Sequence, residues 1–141
     1  MSDNGEVRAI VAGHGTFAVG VISAVEQITG RGNVLVPISN SGLCLDDIQG
    51  SILRELDRTG ARVLFTDLPA GSCTMAVRRM LRTRPGAVLV TGTNLALLLD
   101  FVMADDVDPV DAASNALERA KASMAVYPSP APVAPPADGA T

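Results

Sequence analysis

Residues 7–16 read Val7-Arg8-Ala9-Ile10-Val11-Ala12-Gly13-His14-Gly15-Thr16, a short apolar run that breaks off at two glycines flanking a histidine. A run of this length, closed by turn formers, predicts a strand from Val7 to Ala12. From Phe17 the period changes: Val21, Ile22, Val25 and Ile28 recur at intervals of three and four, which predicts a helix stopped near Gly30. The alternation then repeats. Val34 to Ile38 predicts a second strand, followed by the turn-forming loop Ser39-Asn40-Ser41-Gly42. Ile48, Ile52, Leu53 and Leu56 mark one face of a helix that opens with Asp46-Asp47, where carboxylates favour the positive helix end, and closes at Gly60. Arg62 to Thr66 predicts a third strand running into Asp67-Leu68-Pro69-Ala70-Gly71. A basic helix follows, with Arg78, Arg79, Arg82 and Arg84 outside and Met75, Met80 and Leu81 toward the core, until Pro85-Gly86 breaks it. Ala87 to Val90 is the fourth predicted strand, Asn94 caps a helix from Leu95 to Met103, and Val110 to Val126 is the last helix. Strands alternating with helices predict an α/β fold: an open, mainly parallel sheet of order 2-1-3-4, allowing one extra edge strand, covered by helices on both faces.

The 141 residues suit one domain, and 48% hydrophobic residues are enough for a sizeable core. That domain is expected over residues 1–127. From Pro128 the composition turns to Pro and Ala, with Pro130, Pro132, Pro135 and Pro136 following, and residues 128–141 are expected to form an extended, disordered tail or the stub of a linker. Apolar stretches fall short of the roughly 18 residues a spanning helix needs. The polar start, Met1 to Glu6, lacks a cleavable export pattern, so a cytoplasmic protein is expected. Eleven Lys+Arg against 15 Asp+Glu give a net charge of -4, and three Phe with one Tyr offer few rings for base stacking, so nucleic acid is not an expected partner. Two cysteines, Cys44 and Cys73, make no disulfide framework. One histidine removes every mechanism that needs two imidazoles.

Open parallel sheets bind ligands beyond the C-terminal strand ends where the strand order reverses. In order 2-1-3-4 that crevice lies between the loops after Ala12 and Thr66, which carry His14 and Asp67. A lone histidine is more often solvated or structural than functional, and Asp before Pro and Gly is usually a turn residue. The glycines on both sides of His14 nevertheless leave its ring unshielded and let backbone N–H groups approach an anion. Gly13-His14-Gly15-Thr16-Phe17-Ala18 meets a loose dinucleotide-binding pattern, but Ser39 and Asn40 stand where its acidic residue belongs. Neither a phosphate-binding loop with Gly-Lys-Ser/Thr nor a Gly-x-Ser-x-Gly elbow occurs. What remains is a histidine that itself carries a group: imidazole is a good nucleophile at neutral pH, and a carboxylate on its other nitrogen fixes the tautomer and stabilises the cation formed on attack. Gly71-Ser72, opening the next helix, can offer N–H groups and a hydroxyl to phosphoryl oxygens. Asp105, Asp106, Asp108 and Asp111 lack the spacing of a calcium loop and are expected in a solvated loop, so no metal and no cofactor are expected.

Gly13-His14-Gly15-Thr16-Phe17-Ala18, Thr66-Asp67-Leu68-Pro69-Ala70-Gly71-Ser72 and Gly92-Thr93-Asn94-Leu95 resemble, in order and spacing, the enzyme IIA components of the mannose/fructose/sorbose and N-acetylgalactosamine family of the bacterial phosphotransferase system. The resemblance spans roughly residues 7 to 126. It implies that His14 accepts a phosphoryl group from the phosphocarrier HPr and passes it to a IIB protein for sugar uptake. It further implies that Asp67 orients His14, that Ser72 and the backbone around Gly15, Thr16 and Gly71 hold the phosphoryl oxygens, and that the chain is a homodimer meeting the membrane only through its transporter. A rival of the same fold is a regulatory module whose phosphorylation state is read by a partner. Where the family commonly has Gly-Gly-Ser/Thr-Pro, this chain has Ala70-Gly71-Ser72-Cys73, and Cys73 is expected to be an inert small residue.

Overall fold

Strand β1, Ala9–Gly13, is buried along its whole length and sends alternate residues to opposite sides: Ala9 and Val11 into one core, Ile10 and Ala12 into another. This two-residue period is that of a strand covered on both faces, which explains why its sequence is apolar throughout rather than alternating. The computed structural model describes residues 6–132. After β1 come α1 (Phe17–Thr29), a 3-10 turn (Gly32–Val34), β2 (Leu35–Ser39), α2 (Leu45–Thr59) and β3 (Val63–Thr66). Then follow α3 (Ser72–Leu81), β4 (Val88–Val90), α4 (Leu95–Met103) and α5 (Pro109–Ser123). The four strands are all parallel, in the order β2-β1-β3-β4, with Gly13 beside Ser39 and Ala12 beside Thr66. No fifth strand lies among the described residues.

One face of the sheet is covered by α1, α4 and α5. There Val11, Val63 and Phe65 meet Val25, Leu98 and Phe101, and the Phe65 and Phe101 rings stand edge to face with centroids 5.0 Å apart. The alanines Ala112, Ala113, Ala116 and Ala120 line the buried side of α5, small enough for it to lie close against α4. On the other face α2 contributes Ile48, Ile52 and Leu56, and α3 contributes Cys73, Ala76, Val77 and Met80. Helix ends follow local chemistry: α2 stops at Gly60, whose left-handed backbone closes the last turn, and the Asn94 side chain accepts the Leu97 N–H to start α4. The guanidinium of Arg8, just before β1, donates to the carbonyls of Ala104 and Val107 and lies over the Phe101 ring, tying the entrance of the chain to the end of α4.

Three expectations need correction. The last helix ends at Ser123, not Val126: the backbone turns extended at Met124, and Met124, Val126 and Tyr127 stay exposed instead of packing on the core. Met75 does not enter the core: it is 56% exposed on the outer side of α3, since Cys73, Ala76, Val77 and Met80 already occupy the inner side. Arg82 and Arg84 lie beyond the end of α3 at Leu81 rather than on it. Of the expected tail, residues 133–141 lie outside the described residues. Among the described residues no helix is long and apolar enough to cross a membrane.

Candidate functional site

The order of the strands reverses between β1 and β3, and the loops after these two strands face each other at the C-terminal edge of the sheet. His14 follows β1 directly and Asp67 follows β3 directly. The structure brings them together: Asp67 Oδ2 lies 2.9 Å from the His14 ring nitrogen Nδ1 and accepts the His14 main-chain N–H at 2.9 Å. One carboxylate oxygen thus fixes both the backbone and the ring, and the other ring nitrogen, Nε2, is left outside this pair. The His14 side chain is 48% exposed whereas that of Asp67 is only 12% exposed. Burial opposes ionisation of Asp67, yet the hydrogen bonds from the His14 main chain and ring, with their electrostatic attraction, outweigh it and hold its pKa below the ordinary carboxylate value.

Gly71 shapes the open side of the ring. It sits at the N-cap of α3 with φ +117, a conformation that disfavours side chains, and a Cβ there would come 3.2 Å from His14 Cε1 and 3.7 Å from Nε2. The absence of that Cβ leaves space next to Nε2. Ser72, the first residue of α3, brings a hydroxyl to the same edge, and the helix start supplies main-chain N–H groups with no acceptor inside the helix. Gly15 and Thr16 complete the turn from His14 into α1. Both are exposed, Gly15 has φ +52, and the Thr16 side chain makes no capping bond.

Two residues of the site escape a reading by motifs. Ser39 ends β2 opposite Gly13, and its hydroxyl donates to the Gly15 carbonyl at 2.8 Å. Asn40 donates its main-chain N–H to the Gly13 carbonyl at 3.1 Å and its side-chain Nδ2 to Ser72 Oγ at 3.0 Å, so the loop after β2 braces both the histidine turn and the start of α3. Their only signal in the sequence is their position at a strand end beside β1. By contrast, Gly92-Thr93-Asn94-Leu95 serves the fold: Thr93 N–H donates to the Thr66 carbonyl and Asn94 caps α4. Cys73 is buried beneath the site, and burial, reinforced by the negative charge of Asp67, pushes its thiol up to about 11, which keeps it protonated and unreactive at neutral pH. The acidic group is divided: Asp105 pairs with Arg31, and Asp108 pairs with Arg62 while capping α5.

Gly13 leaves no room for substitution. An added Cβ would lie 2.7 Å from the Phe17 ring, 3.0 Å from Asp67 Oδ2 and 3.1 Å from Asp67 Cγ. Gly13→Ala is therefore expected to cost about 1 to 3 kcal/mol of stability, the usual penalty of overpacking, and to push Asp67 off His14. Urea unfolding checks the first part, and an unchanged midpoint would show that the pocket yields freely.

Comparison with known proteins bears on the same region. A family model described as "PTS system fructose IIA component" matches residues 8–118. A search among curated proteins gave no match. Among solved structures, the fold is similar to the mannose/sorbose-specific IIA subunit of the phosphotransferase system from Enterococcus faecalis, with TM-score 0.76 at 16% identity over 91% of this chain and 99% of that one. It is similar also to the phosphotransferase component EIIA from Streptococcus agalactiae, with TM-score 0.71 at 22% identity over 81% and 94% of the two chains. A sigma-54 interaction domain protein from Enterococcus faecalis shares it as well, with TM-score 0.69 at 14% identity over 84% and 93%. The family match extends from the strand that presents His14 through the helices behind the site, and on it the chain belongs to the mannose/fructose family of IIA components of the bacterial phosphotransferase system.

Proposed function

We propose that the chain is a phosphoryl carrier whose His14 accepts a phosphoryl group from phospho-HPr on Nε2 and hands it to a IIB component for sugar uptake. The observation that carries this reading is the hydrogen bond of Asp67 to Nδ1, which leaves Nε2 as the nucleophile beside the space kept open by Gly71. The Nε2 lone pair attacks phosphorus as the bond between phosphorus and the donor's nitrogen breaks, and that bond's electron pair stays with the donor. Positive charge develops on the His14 ring and is offset by Asp67. The phosphoryl oxygens are held by the Ser72 hydroxyl and by main-chain N–H groups of Gly15, Thr16, Gly71 and Ser72. In this reading the carrier domain is residues 1–127, followed by the Pro- and Ala-rich segment 128–141.

Within this reading Asn40 has a defined task. Because its amide donates to Ser72 Oγ, the Ser72 hydroxyl proton is free to point at the phosphoryl group. Asn40→Asp reverses the polarity: a carboxylate takes that proton for itself and adds negative charge next to an incoming anion. Phosphorylation of Asn40→Asp is expected to be slower by about ten- to a hundredfold, one hydrogen bond to a charged group being worth about 1.5 to 3 kcal/mol. Single-turnover kinetics checks this, and an unchanged rate would remove Ser72 from the site.

Incubation with HPr, the first enzyme of the system and phosphoenolpyruvate, followed by intact mass, tests the carrier reading directly. One added, acid-labile phosphoryl group is expected, and no mass gain defeats the reading. The likeness to a sigma-54 interaction domain protein supports a second reading, in which the phosphorylated state is read by a regulatory partner. Phosphate that loads on His14 but passes to no IIB protein decides for that alternative.

A further inference from the structure

Among the described residues, nine of the eleven basic side chains make a hydrogen bond or an ion pair, whereas Arg78 and Arg82 make neither. These two lie together. With Met75 and Arg79 they line an open groove of about 430 Å³ on the outer side of α3. The spacing 75, 78, 79 and 82 places all four on one side of α3, Arg82 as its C-cap residue with the backbone still in the helical region (φ -63, ψ -24). Arg79 reaches an acidic group only at 3.6 Å, the largely exposed Asp46. Like charges at successive helical turns repel, and among the described residues Asp46 alone offsets them.

The groove lies along the helix that opens at the candidate site. It begins at Met75, one turn after Ser72, and runs roughly 10 Å along the helix to Arg82 at 1.5 Å per residue. A macromolecule that approaches His14 Nε2 past Gly71 meets this face next. Resting on the carrier reading above, we propose that the groove docks the protein that exchanges its phosphoryl group with His14, and that this partner presents carboxylates around a protruding apolar side chain. Charge complementarity sets the carboxylates, since three guanidiniums meet one exposed carboxylate on a chain whose net charge is -4. Met75, 56% exposed at the groove wall, supplies the adaptable apolar contact. Exposed arginines beside an apolar residue are the composition of an interface centre, where the carboxylates would find bidentate partners.

The test compares two routes to the same histidine. Phosphoramidate, a small donor, needs no docking surface, whereas phospho-HPr and the transfer to IIB do. Arg78→Glu/Arg82→Glu is expected to load from phosphoramidate like the wild type while kcat/KM falls at least tenfold in one of the two protein steps. The wild-type rate of that step should also fall with salt, and the variant's should not. Both groups are exposed, so the fold should persist, and Arg78→Ala/Arg82→Ala should show a smaller loss in the same step. Unchanged rates in both protein steps overturn the proposal. Binding of a single-stranded DNA oligonucleotide that is lost in the variant, with both transfer steps unchanged, overturns it in favour of a nucleic-acid surface. Failure of phosphoramidate to load the wild type defeats the carrier reading itself, an outcome separate from the other two.

Discussion

His14→Ala is expected to abolish phosphorylation by phospho-HPr and to leave the fold standing. The ring is half exposed, and its only hydrogen-bonded partner among the described residues is Asp67, so removing it empties no core position. The stability cost should be about 1 kcal/mol or less, the net worth of one hydrogen bond. Chemically nothing replaces it, because the chain has no second imidazole. Cys73 is buried with its thiol held protonated, and Cys44 is the exposed N-cap residue of α2. Intact mass after incubation with the donor system checks the result, with circular dichroism as the control for folding. A phosphoryl group retained by the alanine variant would lie on a serine, aspartate or cysteine, and the relay would have to be abandoned.

Asp67→Asn should have the next largest effect. Asn can turn its oxygen to the position of Oδ2 and accept both bonds that Asp67 receives from His14, so the geometry survives and the charge alone is removed. That charge offsets the cation formed when Nε2 attacks phosphorus. Its loss should slow transfer by roughly ten- to a thousandfold, equivalent to about 1.4 to 4 kcal/mol in the transition state. Stability should fall above the acid range, and the difference from the wild type should vanish at low pH. The folded pKa of Asp67 is lowered, so its contribution is present above the unfolded carboxylate value of about 4 and is lost as pH falls through the folded value. In the Asn variant this part of the acid limb should flatten. The Nδ1 proton resonance of the sole histidine gives an independent readout, since a neutral acceptor binds that proton less strongly. Unchanged transfer, acid limb and resonance together would show that Asp67 does no electrostatic work at His14.

The sheet was legible because burial on both faces keeps the central strands β1 and β3 almost wholly apolar, and a glycine or proline follows each strand within three residues. The His14 and Asp67 pair followed from strand order alone, since β1 and β3 must be neighbours for their loops to meet. Asn40 and Ser39 were not legible as site residues. Their contacts depend on β2 ending level with Gly13, a register that a single sequence does not specify, and in a turn Ser and Asn look like ordinary turn formers. Met75 was misplaced for a related reason: the apolar period of α3 fits two rolls of the helix, and the small residues Ala76 and Cys73 decide which side faces the sheet. The groove beside it was hidden by the same ambiguity, the arginines being readable as charge but not as a shared surface.

Arg8 binds carbonyls 96 and 99 positions further along the chain. On the ribosome its guanidinium therefore waits until Val107 has been synthesised, and the entry to β1 receives this tether only after all four strands have been made. The turn bearing His14 springs from that strand. The partners that seat the ring and its turn, Ser39, Asn40 and Asp67, all precede Val107, so a nascent chain that stops short of the end of α4 should already hold the histidine in place while the foot of its strand is still untethered.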